Sequence, residues 1–153
     1  MGLDMYLTKR VSVYACYEFE KVTGTIFVSK NGIPVPINFN KITTINEQAC
    51  YWRKANAIHK WFVDNVQDGE DNCEEYYVPR EKLVELVKVC KEVLKNHDKA
   101  EQLLPPQAGF FFGGTDIGEW YFEDLKHTVK TISEVLKQDG DNNDIHYYYQ
   151  SSW

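Results

Sequence analysis

The chain has 153 residues and a formal net charge of −6, with 43% hydrophobic, 26% charged and 14% aromatic residues. This length predicts one domain, residues 1–153, with enough apolar material for a proper core, and the composition excludes a disordered chain. The negative charge argues against a broad nucleic-acid-binding surface. No stretch has the roughly 18 apolar residues of a membrane span, and no leader pattern opens the chain. We therefore expect a soluble, cytoplasmic protein.

The first 40 residues have the composition of short β-strands. The strand-like segments are residues 5–9, 11–19 and 24–30. The pair Asn31-Gly32 is a strong hairpin-turn signal, and Pro34 and Pro36 lack the amide hydrogen that a central strand would use. The pattern predicts a small antiparallel meander whose last segment, residues 33–38, lies at an edge or in a loop.

The stretch 44–66 predicts one long helix, which would be the central element of the domain. Thr44 followed by Glu47 fits a capping box, and Asp68-Gly69 marks a stop. Tyr51, Ala55, Ile58 and Phe62 would form its core stripe. Trp52, Asn56 and His59 follow at spacings of four and three, so we expect them to stand together on one flank of this helix, with Arg53 beside them.

The middle of the chain alternates polar loops with amphipathic segments. Residues 67–75 are acidic, but their spacing does not match a calcium-binding loop, and an aromatic segment at 76–78 predicts a short strand. Pro79 suits the first position of a second helix that runs to about Asn96, followed by a short helix that ends at Pro105-Pro106.

Three consecutive phenylalanines lie between glycines in the segment 108–116. The favoured interpretation is a buried strand, since a short apolar run bounded by turn residues is typical of one. The alternative is that Gly113-Gly114 lets the backbone approach a ligand, ahead of a helix whose N-terminus could bind an anion.

The last third of the chain predicts a long helix and a terminal strand. Asp116 with Glu119 suggests a cap for a helix to about Lys137, and apolar residues recur at helical spacing along it. The final segment IHYYYQSSW is unusually aromatic for a chain end, so we expect a last strand or arm that docks on the body. Together these elements predict an α+β domain in which an N-terminal antiparallel sheet carries about three long helices and late aromatic strands.

Several kinds of chemistry find no support in the sequence. There is no serine-nucleophile elbow, and the four histidines are scattered one to a segment, without the spacing of a metal site. The four cysteines form no C-x-x-C pair, which favours structural thiols. We therefore expect no metal and no cofactor.

The remaining candidates are aromatic side chains with a few polar groups among them. Such a set is typical of an aromatic core, of a pocket for a small aromatic or anionic ligand, or of a protein interface. The candidate binding residues are Trp52, Arg53, Asn56, His59, Tyr76, Phe111, Tyr149 and Trp153. The leading hypothesis is a non-enzymatic binding protein. One alternative is an enzyme acting on a small molecule or nucleotide with His59 as general acid or base. Another is a structural or assembly component.

The motifs GLDMYL, YWRKANAIHKWFVDNVQDG, EYYV, GFFFG and YYYQSSW together resemble a group of small proteins encoded by bacteriophages and prophages, nearly end to end. That group has no established activity, so the resemblance transfers no catalytic residue. It implies a phage or mobile-element origin and, by analogy with other accessory phage proteins, a role in binding a host protein or a small ligand in the bacterial cytoplasm.

Overall fold

A computed structural model describes residues 2–14, 17 and 24–153. In these residues strands and helices are arranged as an α+β fold, which confirms the predicted fold class. The strands are β1 Asp4–Ser12, β2 Val28–Lys30, β3 Ile33–Val35, β4 Thr44–Arg53, β5 Tyr76–Val78 and β6 Ile145–Ser152. The helices are α1 Asn56–Asn65, α2 Arg80–Lys95, α3 Ala100–Leu103 and α4 Glu119–Asp139.

The main sheet is antiparallel and has the strand order β4-β1-β6-β5. The first strand therefore lies between β4 and the last strand, β6. Leu7 illustrates the register, since it is opposite Cys50 of β4 on one side and opposite Tyr149 of β6 on the other. Because β5 pairs only with β6, the last strand connects β5 to the rest of the sheet.

One face of this sheet forms the core beneath the helices. Side chains alternate between the two faces of a strand, so alternate residues are buried in the first half of β1 and from Tyr147 onward in β6. The buried residues of the three long strands are Met5, Leu7, Cys50, Trp52, Tyr147, Tyr149 and Ser151. Helices α2 and α4 pack on each other, and α4 also contacts α1 and β4.

The predicted single helix over residues 44–66 is wrong. Residues 44–53 form β4, and the helix α1 begins only at Asn56. Thr44 therefore starts a strand rather than a capping box. Tyr51, which was predicted to lie in the core stripe, is 37% exposed. The later part of the stripe is correct, because Ile58 and Phe62 are fully buried.

The physical reason lies in pairing that the local pattern does not reveal. Residues 44–53 form a ladder with β1 along their whole length, and that tertiary pairing overrides a helical spacing of apolar residues. Cys50 and Trp52 both face the core because they are two residues apart on β4, and a bulge at Ala49, which has no partner between Leu7 and Thr8, shifts the register of the residues before them. The chain then turns at Lys54, whose φ of 59° lies in the left-handed region that interrupts either type of element.

The predicted N-terminal meander is also wrong, although its turn is correct. Asn31 and Gly32 have φ values of 53° and 77°, as a two-residue hairpin turn requires. The strands that they join, β2 and β3, form a separate two-stranded sheet, so among the described residues before position 40 only β1 belongs to the main sheet. The expected strand over 11–19 contributes its first two residues to β1, and much of its remainder lies outside the described residues.

The phenylalanine segment is a loop, so the buried strand expected there is wrong. The amide of Phe112 donates to the carbonyl of Gly109, and Gly113 has a φ of 87°. This turn buries Phe112 while leaving Phe110 95% exposed. The helices predicted on either side of this loop are present as α2 and α4, although α4 begins after Gly118 rather than at an Asp116 cap.

Within the described ranges, no helix is both long enough and apolar enough to cross a membrane.

We expect Ile58→Ala and Phe62→Ala each to lower the free energy of unfolding by about 2 to 5 kcal/mol, because both side chains are fully buried and their truncation leaves cavities. Phe62 also loses its stacked contact with Tyr149, whose ring centre is 3.9 Å away. Urea unfolding curves measure the change. Val84→Ala on the exposed side of α2 is the control and should change stability by less than about 0.5 kcal/mol. Equal stability of the core variants and the parent would contradict the packing of α1.

Candidate functional site

A chain of hydrogen bonds, buried at one end and exposed at the other, joins α1 to β6 and Trp153. His59 has no exposed surface, and both ring nitrogens have partners. Its Nδ1 is 2.7 Å from the hydroxyl of Tyr149, and its Nε2 is 2.9 Å from Oδ2 of Asp71. The indole nitrogen of Trp153 donates to the other oxygen of Asp71 at 3.0 Å. We call these four residues the His59 network.

The direction of these bonds follows from the donors available. An ionised carboxylate can only accept, so the Nε2–H of His59 donates to Asp71. In the tautomer that carries its hydrogen on Nε2, Nδ1 is an acceptor and the hydroxyl of Tyr149 donates to it. Burial raises the pKa of Tyr149 well above its ordinary value, so this hydroxyl keeps its proton. The network is complete without any further group and packs under Phe112.

A separate cleft lies where the turn between β4 and α1 faces the N-terminal part of α4. Its volume is about 340 Å³, which falls within the range of pockets for small ligands. Three segments line it. They are residues 53–58, the loop residues Gly113, Gly114 and Asp116, and Trp120, Tyr121, Asp124 and Leu125 of α4.

The wall formed by residues 53–58 is basic. Lys54 forms no ion pair with any residue that the structure describes, and Arg53 is mostly exposed, with one carboxylate, that of Asp4, at 4.0 Å. The backbone amides of Ala57 and Ile58, in the first turn of α1, have no described hydrogen-bond acceptor. Unpaired amides of this kind and lysine side chains both favour an anionic group.

Asn56 holds the glycine loop in place beside this wall. Its side-chain amide donates to the carbonyls of Phe112 and Gly114, at 3.1 and 2.8 Å. Gly113 has a φ of 87°, and a Cβ atom there would lie 3.4 Å from that of Lys54. Because L side chains rarely adopt this φ, the turn of the loop depends on glycine at this position, whereas a Cβ would make only an ordinary contact with Lys54.

The wall formed by α4 is aromatic and acidic. Trp120 is 84% exposed, although it is among the largest apolar side chains in the protein, and no described ring stacks on it. Asp124 follows four residues later, so its carboxyl group lies on the same side of the helix, one turn away. Burial raises the pKa of Asp124 to about 6, while nearby His127 acts in the opposite direction. No described group donates a hydrogen bond to this carboxyl.

The structure divides the predicted site residues between these two places. Arg53 and Asn56 line the cleft, whereas His59, Tyr149 and Trp153 belong to the His59 network. Trp52 lies on β4 and not on one helix flank with Asn56 and His59, and its indole nitrogen donates to Thr128 beneath α4 at 2.8 Å.

Tyr76 and Phe111 are half-buried, and neither lines the cleft. The hydroxyl of Tyr76 accepts from Asn72, and the carbonyl of Phe111 accepts from the amide of Leu3. Both residues therefore make contacts within the fold, away from the cleft.

Sequence reasoning did not select Lys54, Trp120 or Asp124. A signal for the last two existed, because Trp120 and Asp124 are spaced by four within a predicted helix and neither belongs to its core stripe. No comparable signal marks Lys54. Its role depends on the turn that the chain makes there, which the predicted continuous helix concealed.

Metal and thiol chemistry have no visible place in this site. In the described ranges, no three His, Cys, Asp or Glu side chains are grouped to hold a metal ion. Burial raises the pKa of the Cys50 and Cys90 thiols to about 12, so both remain protonated at neutral pH and are poor nucleophiles.

No protein-family model matches this chain, and neither curated proteins nor solved structures give a match.

We expect Tyr149→Phe to destabilise the protein by about 1 to 3 kcal/mol, because it leaves the buried Nδ1 of His59 without a donor. The phenyl ring would retain the stacking on Phe62, so the loss measures the hydrogen bond. Thermal unfolding followed by circular dichroism measures it. Tyr77→Phe on the exposed side of the sheet is the matched control. Unchanged melting of Tyr149→Phe would mean that the His59 network is not formed in solution.

Asp124→Asn should stabilise the protein near pH 7 and have no such effect below about pH 4. In the folded state the raised pKa keeps this carboxyl protonated from its ordinary 3.8 up to about 6. Its contribution to stability is therefore greatest at low pH and declines as the pH rises through 6. Melting temperatures of both proteins between pH 4 and 8 measure the difference. The exposed neighbour Glu123→Gln serves as control, and a gain that is independent of pH would contradict the buried carboxyl.

Proposed function

We propose that this protein is a non-enzymatic binding protein that holds a small, ring-bearing anionic ligand in the cleft between residues 53–58 and α4. The observation that carries this proposal is that two side chains without a described partner line the same cavity. Trp120 offers an exposed aromatic face, and Lys54 offers a charge with no described ion pair.

Each of these groups would contribute to the binding of a planar anionic ligand. A tryptophan exposed to water keeps a large apolar surface that stacking on a planar ring would cover. Lys54 holds a left-handed backbone conformation that is unfavourable for a non-glycine residue, and strained residues of this kind concentrate at binding sites. Asn56 supports the proposal further, because it holds the opposite loop and so keeps the cleft open before a ligand arrives.

A ligand of one ring and one anionic group suits the size of the cavity. A volume of about 340 Å³ is near the lower end for ligand pockets, roughly 300 to 1,000 Å³. A nucleoside monophosphate has this size and combines a stacking surface with a charge. Under the phage resemblance, such a ligand would be a host metabolite, which makes an accessory protein that senses or sequesters a host compound part of this proposal.

The contacts of His59 favour a binding role over the enzymatic alternative. A general acid or base has to come within hydrogen-bond reach of its substrate. His59 is fully buried and uses both nitrogens for Tyr149 and Asp71, and it is absent from the cleft lining.

The test is isothermal titration calorimetry with the four common nucleoside monophosphates as probes. We expect at least one to bind, Trp120→Ala to weaken binding by the roughly 1 to 3 kcal/mol of a base stacked on an aromatic ring, and Lys54→Gln by about 1.5 to 3 kcal/mol, as for a hydrogen bond to a charged group. Neither change should lower the melting temperature, since both side chains are exposed.

Two variants control for nonspecific effects. Phe110→Ala removes an aromatic ring that is even more exposed than Trp120 but lies outside the cleft. Lys60→Gln removes a surface charge from α1 that already pairs with Asp64. Binding that is absent for every probe, or equally sensitive to the control variants, would overturn the proposed site.

A further inference from the structure

The cleft differs from a simple anion-binding site because carboxyl groups line it as well as basic side chains. Asp116 and Asp124 line the same cavity as Lys54 and Arg53. Repulsion by two carboxylates would disfavour a ligand that carries only negative charge. A ligand that fits both sides therefore needs an anionic group at one end and hydrogen-bond donors or positive charge at the other.

The spacing of two side chains on α4 indicates where those donors would lie. Trp120 and Asp124 are neighbours along one side of α4, about one helical turn apart. A planar group that stacks on the indole of Trp120 would therefore lie next to the carboxyl group of Asp124, with an edge within its reach. This carboxyl receives no hydrogen bond from any residue within the described ranges, so both of its oxygens are available to accept.

The donor pattern follows from the chemistry of a carboxylate. Its two oxygens accept a pair of parallel N–H bonds, as a guanidinium group presents them. The N1–H and exocyclic amino group of guanine form the same pattern. Adenine and cytosine instead present one acceptor beside one donor, which leaves a carboxylate oxygen facing a lone pair.

We propose that the cleft selects ligands with a planar N–C–N edge of two adjacent N–H donors, placed between Trp120 and Asp124, and an anionic group at Lys54. Guanosine monophosphate and arginine are two sources of this chemistry. The inference rests on the proposed function and specifies its ligand class.

Asp124→Asn is the decisive variant because it changes the pattern without changing the shape. An asparagine amide offers one donor and one acceptor, the pattern that complements adenine. Calorimetry with GMP, AMP, arginine and inorganic phosphate should show that GMP or arginine binds the parent at least about tenfold more tightly than AMP, the range expected for one good bidentate pair. In Asp124→Asn this preference should disappear or reverse, while Glu123→Gln should retain it.

A second readout is the dependence of binding on pH. The charged and titratable groups that share the cleft with Asp124 are Arg53, Lys54, Asp116 and Tyr121, and His127 lies on the same helix. As the pH falls through about 6, Asp124 takes up a proton and offers one donor and one acceptor. GMP affinity should then fall relative to AMP, and this shift should be absent in Asp124→Asn.

The outcomes separate this inference from the proposed function. Equal binding of GMP and AMP, with arginine inactive and Trp120→Ala still impaired, would overturn the donor-edge inference and leave the ligand site standing. A GMP preference that survives in Asp124→Asn would also overturn it, as would phosphate binding as tightly as GMP. Tight binding of arginine without binding of any nucleotide would support the donor-edge inference with the guanidinium as the source, and would overturn the ring-bearing ligand of the proposed function. If none of the four probes binds, the donor-edge inference is overturned, and the proposed function is overturned as well if the other two nucleoside monophosphates also fail to bind.

Discussion

The fully buried imidazole of His59 is the constraint on which the rest of the structure depends. A polar ring at this depth is tolerated only with both nitrogens satisfied, and its two partners come from distant parts of the chain, Asp71 and Tyr149. The bond to Tyr149, together with the stacking of Phe62 on the same ring, fixes the rotation of α1 on the sheet. That rotation determines where the first turn of α1 lies. The positions of Asn56 and Lys54 in the cleft thus depend on contacts made further along the same helix.

The sequence predicted those elements whose stability is mostly local. Helices α2 and α4 have one apolar stripe each, and the turn at Asn31-Gly32 has the residues that its backbone requires. Residues 44–53 were different, because their helical spacing and their strand pairing conflict and only the pairing partner decides between them. The partner, β1, is about 40 residues earlier in the chain. A pattern read in one window cannot include that interaction.

The candidate site was predicted only in part, for a related reason. Unusual residues near 52–59 were selected as one group, but the break at Lys54 sends His59 into the core and leaves Arg53 and Asn56 at the cleft. Trp120 and Asp124 become site residues because α4 packs against the strand and helix that flank this break. Their chemistry was visible in the sequence, but their neighbour across the cavity was not, since tertiary packing alone brings the two segments together.

The position of β6 has a consequence for how the protein is made. Its pairing with β1 joins residues 145–152 to residues 4–11, and β5 has no other described partner. During synthesis, β1 and β4 can pair early, whereas the buried face of β1 waits for Tyr149 until the ribosome has translated nearly all of these residues. Such long-range pairing slows folding and leaves apolar surface exposed meanwhile. A nascent chain that stalls before residue 145 therefore exposes an unpaired strand edge to chaperones and proteases.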